Sequence, residues 1–149
     1  MSVLPPVTMQ RVEAWLGSQG LAFDREPEEG VHVALGNAHL VLMLPSEGAF
    51  LFVRGIWLGV FPPDQVDELN DLADLHYQQA YGPRMSLGFL GDGNVRVITQ
   101  MLGPAGQGMS DAQLADFLDL AVRMNMSLFA DLEERYPGLV DWESWEKED

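Results

Sequence analysis

An α+β fold, an antiparallel β-sheet flanked by helices, is what this sequence predicts, and three observations carry the prediction. Between residues 21 and 61, strand-like runs follow one another across breaks of hairpin size, too short to hold the crossover helix that parallel pairing demands. A second pair of runs flanks the turn signal "GDGN" at 91–94, the composition of a tight hairpin. Three further segments repeat their apolar residues at helical rather than strand spacing. Strands and helices segregated in this way pack as helices on an antiparallel sheet.

The first helix begins after Pro5-Pro6, with Thr8 as its N-cap. Met9, Val12 and Leu16 form one face, Trp15 stands beside it, and Gly20 ends it. The runs "LAFD", "VHVAL", "AHLVLML" and "AFLFVRGIWLGVF" follow, separated by "REPEEG", "GN" and "PSEG", and read as an antiparallel meander. Alternation in "VHVALG" sets Val31, Val33 and Leu35 on one face and His32 and Ala34 on the other, so one face is packed. Pro62-Pro63 and Asp64 open a second helix that runs to about Ala80. Val66, Leu69, Ala73, Tyr77 and Ala80 recur along it at helical spacing, with Asp64, Asp67, Glu68, Asp71 and Asp74 opposite. After "YGP" comes the hairpin "RMSLGFL", "GDGN", "VRVITQML", and "GPAGQG" connects it to the last helix. Ser110 with Gln113 forms a capping box at that helix's start, and "YPG" at 136–138 closes it. Counted by principal strands the order is α-β-β-β-α-β-β-α, that is helix, meander, helix, hairpin, helix, with no internal repeat.

A chain of 149 residues can bury one real core, so a single domain is expected over 1–138, followed by an acidic aromatic tail over 139–149. No apolar run approaches the ~18 residues of a membrane span. Met1 to Gln10 lacks the basic-then-apolar order of a secretory signal, and a cytoplasmic protein is expected. Twenty-three acids against eight basic residues give a formal charge of −15, which repels phosphate backbones and anionic lipid surfaces. Neither nucleic acid nor membrane is an expected partner. The absence of cysteine removes disulfides, thiolate nucleophiles and cysteine-built zinc sites.

Chemistry-bearing motifs are missing. There is no GxSxG elbow, P-loop lysine or GxGxxG, and "GPAGQGMS" lacks the basic residue that completes a phosphate site. "GDGNVR" has no downstream acid where a calcium loop needs one. The acids of the second helix lie side by side without converging, as on a solvated face. His32, His39 and His76 lack helical metal-pair spacing, although adjacent strands could bring His32 near His39. No catalytic residue, metal site or cofactor is expected.

The last helix is more informative. Leu114, Phe117, Leu118, Ala121, Val122, Met124, Leu128, Phe129 and Leu132 cover an arc of ~160° at ~100° per residue, and Leu120 and Met126 widen it. One side can pack on the sheet while a shoulder near Leu120, Met124 and Met126 meets a second subunit or another protein. Asn125 falls near the middle of the arc, where an unpaired amide costs ~1–3 kcal/mol. It is a candidate buried polar group, fixing register across an interface or bonding a neighbouring strand or helix end. Arg54, in "FLFVRGIW", shares a side with Phe52 and Ile56 and is a second candidate buried polar group, needing a counterion, a ligand or a strand-edge position. Trp142 and Trp145 stand three apart among five acids in the tail and are candidate docking residues, on this domain, a twin or a partner.

Three stretches, "FLFVRGIWLGVFPPDQVDELNDLADLH", "PRMSLGFLGDGNVRVITQ" and "GMSDAQLADFLDLAVRMNMSLFADLEERYP", carry a resemblance to the YbjN-like family of bacterial proteins, whose fold looks like that of type III secretion chaperones. With the amino-terminal part the resemblance covers nearly the whole chain except the tail. Where the family often shows Trp-Asn late in the middle helix, this chain has His76-Tyr77, so a role tied to that pair does not carry over. The resemblance implies an antiparallel sheet flanked by helices, frequent dimerisation, and a binding or regulatory role without established chemistry. The expected function is a non-enzymatic protein-binding, regulatory or chaperone-like module, a homodimer or the binder of an unidentified protein. The alternative is a small-molecule binder or enzyme with a pocket between sheet and helices and Arg54 as its polar group.

Overall fold

The structure, a computed structural model, describes residues 3–26, 30–45, 48–79 and 82–140. Its elements are α1 (Met9–Ser18), β1 (Asp24–Glu26), β2 (Gly30–Ala34), β3 (Ala38–Met43), β4 (Phe50–Trp57), α2 (Val66–Gln79), β5 (Arg84–Phe89), β6 (Val95–Pro104) and α3 (Asp111–Arg135). Thr8 caps α1 through its side chain, which accepts from the Arg11 N–H at 3.2 Å. Ser110 and Gln113 form the complete capping box of α3, as the pattern predicts. Only the end of "LAFD" pairs: β1 begins at Asp24 and is a three-residue edge strand, all of it exposed.

The six strands form one antiparallel sheet in the order β1-β2-β3-β4-β6-β5. Strands β1 to β4 are the meander. The hairpin joins it through its second strand, so that β6 lies beside β4 and β5 is the far edge. Burial explains that choice. Val95, Val97 and Thr99 of β6 are fully buried, whereas β5, exposed at both ends, takes the edge.

All three helices pack on one face of the sheet, which carries Val31, Val33, Leu40, Leu42, Val53 and Trp57 into the core. α3 crosses β4 and β6 where the strands carry Gly55 and Gly103. A Cβ at Gly103 would stand 2.9 Å from the Phe117 ring, and one at Gly55 would stand 2.7 Å from Phe129. Isolated glycines inside strands mark such close approaches. α1 lies over β2, and Glu13 of α1 pairs with Arg25 of β1. α2 stands against β5, with Leu69 fully buried. Tyr77 is not on the packed side of α2 and is 78% exposed. The contact direction runs through Leu69 and His76, from which Tyr77 is turned by ~80–100° at ~100° per residue. Leu139 and Val140 pack on the core, so the fold runs two residues past Gly138.

Candidate functional site

The face of the sheet opposite the helices has no element packed on it among the described residues. Side chains alternate across each strand, so register fixes its members. One row crosses it as Ala34, His39, Ile56, Ile98 and Ser86, and the next as His32, Val41, Arg54, Gln100 and Arg84. Beyond them Met43, Phe52 and Leu102 form a third row. Leu102 is 48% exposed and Phe50, at the same end, 46%. An antiparallel sheet commonly turns one face to water, and such a face is ordinarily polar. Here Ile56, Ile98, Phe52 and Leu102 stand among Arg54, Gln100 and Arg84, more apolar area than an open face ordinarily shows to water.

Arg54 is therefore not buried, as the sequence suggested. It is exposed in the middle of this open face, because its alternation partners Phe52 and Ile56 are themselves on the side that no helix covers. It cannot line a pocket between sheet and helices. His32 and His39 lie diagonally on the same open face, and among the described residues no group of three His, Cys, Asp or Glu is placed to hold a metal.

Asn125 is fully buried in the middle of α3. Its side-chain amide donates to the Ala121 carbonyl at 2.8 Å, and its oxygen accepts from the Thr99 hydroxyl of β6. Both residues lie against Gly55. The amide's partner is thus a strand of its own domain, one of the two uses open from sequence. Thr99 was not legible as that partner, since nothing in a strand's alternation says which of its inward residues meets the helix.

The shoulder residues of α3 do not form one patch. Leu120, 40% exposed, and Met124 are one turn apart on one side, with Met124 beside Gly82. Met126, 49% exposed, lies ~160° round from Met124 at ~100° per residue and sits by the β2–β3 turn, near Leu35 and Asn37. Trp142 and Trp145 lie outside the described residues.

A cleft of about 510 Å³ separates α2 from α3, lined by Leu72, Leu75, His76, Met85, Leu128 and Arg135 among others. His76 is held there by the Pro83 carbonyl at 3.0 Å. At the end of α3, Tyr136 meets Phe61 edge-on at 5.0 Å, and its hydroxyl donates to Glu68 at 3.0 Å. Burial, and then the hydrogen bond that the neutral phenol donates to the Glu68 carboxylate, raise the Tyr136 phenol above its ordinary value. A raised phenol keeps its proton longer in the folded chain than in the unfolded one. The contribution to stability is full below about pH 10 and is lost as pH rises through the folded value. Urea unfolding at successive alkaline pH values is expected to show a steeper decline for the natural chain than for Tyr136→Phe. Parallel declines would contradict this.

Residues 8–134 match the model of the YbjN family, described as "Putative bacterial sensory transduction regulator". No curated protein matches the chain. Among solved structures the chain is similar to "YbjN, a putative transcription regulator from E. coli", with a TM-score of 0.70 at 15% identity, over 89% of this chain and 96% of that one. It is also similar to the structure of the HopA1-SchA chaperone-effector complex, with a TM-score of 0.53 at 16% identity, over 87% and 99%. At such identities the two likenesses speak for the fold, which is the α+β, type III secretion chaperone-like arrangement. Among the described residues no helix is long and apolar enough to cross a membrane.

Proposed function

Given that the chain belongs to the YbjN family, we propose that it is a non-enzymatic protein-binding module of a bacterial cytoplasm, regulatory or chaperone-like in use. The observation that carries this reading is the sheet face on which no described element packs, with the side chains of Phe52, Ile56 and Ile98 on it. That face spans six strands and forms no enclosed concavity of the kind small molecules favour, which suits another polypeptide better. The likeness to a chaperone seen in complex with an effector supports a protein as the ligand. Homodimers pair through the Leu120 and Met124 side of α3, which leaves the sheet face free.

Site-specific photo-crosslinking in bacterial cells tests the reading. A crosslinker at Ile98 of the full chain is expected to capture a defined protein, and one at Asp71, on the acidic side of α2, is not. Light scattering of the purified chain reads the dimer independently. Equal capture at both positions, or no protein captured from the sheet face, would remove the basis for the proposal.

A further inference from the structure

Strands β2 to β6 contain not one Asp or Glu, in a chain that has 23 of them and a formal charge of −15. The same strands hold three of the chain's eight Lys and Arg residues, Arg54, Arg84 and Arg96. All three stand on the face opposite the helices: Arg54 and Arg84 flank Gln100 in one row, and Arg96 lies opposite Gly88 near the start of β6. Three of the four other arginines find carboxylates: Arg11 in Asp111, Arg25 in Glu13 and Arg123 in Asp119. Among the described residues none of the three sheet arginines is paired with a carboxylate, and Nε of Arg96 is buried without an acceptor. Asp24 and Glu26 stand only at the β1 rim. The open face therefore mixes apolar side chains with cations that no described carboxylate neutralises, in a strongly acidic molecule, and its complement is an acidic segment with bulky apolar side chains.

The chain contains such a segment. Residues 141–149, "DWESWEKED", carry five acids, one lysine and two tryptophans. We propose that this segment is the resident occupant of the open face, laid over Arg96, Ile98 and Arg54, and that a partner protein binds by displacing it. Its starting point favours this. Val140 is buried, and Tyr136 packs on Phe61, whose backbone pairs with Val95. Arg96 is the next residue, with its side chain on the other face. The end of α3, five residues before the segment, thus lies at the end of the sheet where Arg96 stands. Nine residues reach ~30 Å, against ~10 Å for the thickness of a packed layer and ~13 Å from Arg96 along β6 to Gln100. Indole rings cover isoleucine and valine well and attract guanidinium groups, and a tethered segment acts at millimolar effective concentration. A second copy laid face to face would instead set these arginines against one another.

The inference rests on the open face being a protein-binding surface, and its test separates the two. The probe is a labelled synthetic peptide of residues 139–149, titrated into the full chain and into full-length Trp142→Ala/Trp145→Ala by fluorescence anisotropy. The natural chain, already covered, is expected to bind the peptide at least about tenfold more weakly than the double variant. Adding Arg54→Glu and Arg84→Glu, both exposed positions, to that variant is expected to abolish binding. Equal affinity of the two chains, or binding indifferent to the arginine changes, would overturn the proposal. So would a doubled mass by light scattering that Trp142→Ala/Trp145→Ala abolishes, which would place the segment on a second copy. If the peptide fails to bind while the crosslinker at Ile98 still captures a defined protein, the segment is not the occupant and the protein-binding reading stands. If both fail, the face itself has been misread.

Discussion

Gly55→Ala is expected to destabilise the fold by about 3 kcal/mol, and Gly55→Val to prevent folding. A methyl group at this position would stand 2.7 Å from Cζ of Phe129 and 2.8 Å from Oδ1 of Asn125, and closer still to the Thr99 hydroxyl. None of these neighbours can swing away. Phe129 is 1% exposed, and Asn125 and Thr99 are completely enclosed, so relief requires α3 to lift from β4. Overpacking a dense core costs about 1–3 kcal/mol, and separating the Thr99 hydroxyl from Asn125 leaves a buried polar group unpaired for about 1–3 kcal/mol more. Domains of this size have about 5–15 kcal/mol in all, so the alanine variant remains foldable and measurable. Urea unfolding reads the difference. A change within about 0.5 kcal/mol would mean that the helix does not approach the sheet this closely.

Asn125→Leu and Thr99→Val are each expected to cost about 1–3 kcal/mol alone, and much less than their sum together. Each single change leaves one buried polar group without its partner, which carries the desolvation penalty of that group. The double change removes both ends of the bond and puts apolar groups of similar shape in their place, which is nearly neutral by the same reasoning. Leucine keeps the branching of asparagine, and valine that of threonine. A double-mutant cycle in urea therefore reads a coupling of at least about 1 kcal/mol. Additive costs would mean that the Thr99–Asn125 bond is not what ties α3 to β6.

Much of this is legible in the sequence. Thr8 and Ser110 mark helix starts because a side-chain oxygen beside free amide groups has one favourable use. The meander follows from breaks too short for anything but hairpins, and the burial of Val31 and Val33 follows from alternation. What alternation cannot say is which face the helices choose. Arg54 shares a side with Phe52 and Ile56, and apolar neighbours ordinarily mean core, yet that side is the one no helix covers among the described residues. Periodicity also overreached in α2, where Tyr77 fits the spacing and yet lies beyond the edge of the contact. In α3 the widened apolar arc read as one shoulder, whereas Met124 and Met126 face different neighbours.

The sequence by itself determined the elements, their caps and turns, the antiparallel pairing, and the acidity that speaks against phosphate-bearing partners. These follow from interactions within a few residues or from summed charge, which a linear reading can see. Tertiary structure alone decided that β6 rather than β5 joins the meander, that Gly55 and Gly103 admit α3, that Thr99 is the partner of Asn125, and that three arginines share an uncovered face. Each depends on residues far apart in the chain meeting across a sheet. Side-chain alternation leaves two equivalent faces, and only the packing of all three helices on one of them makes the other a surface.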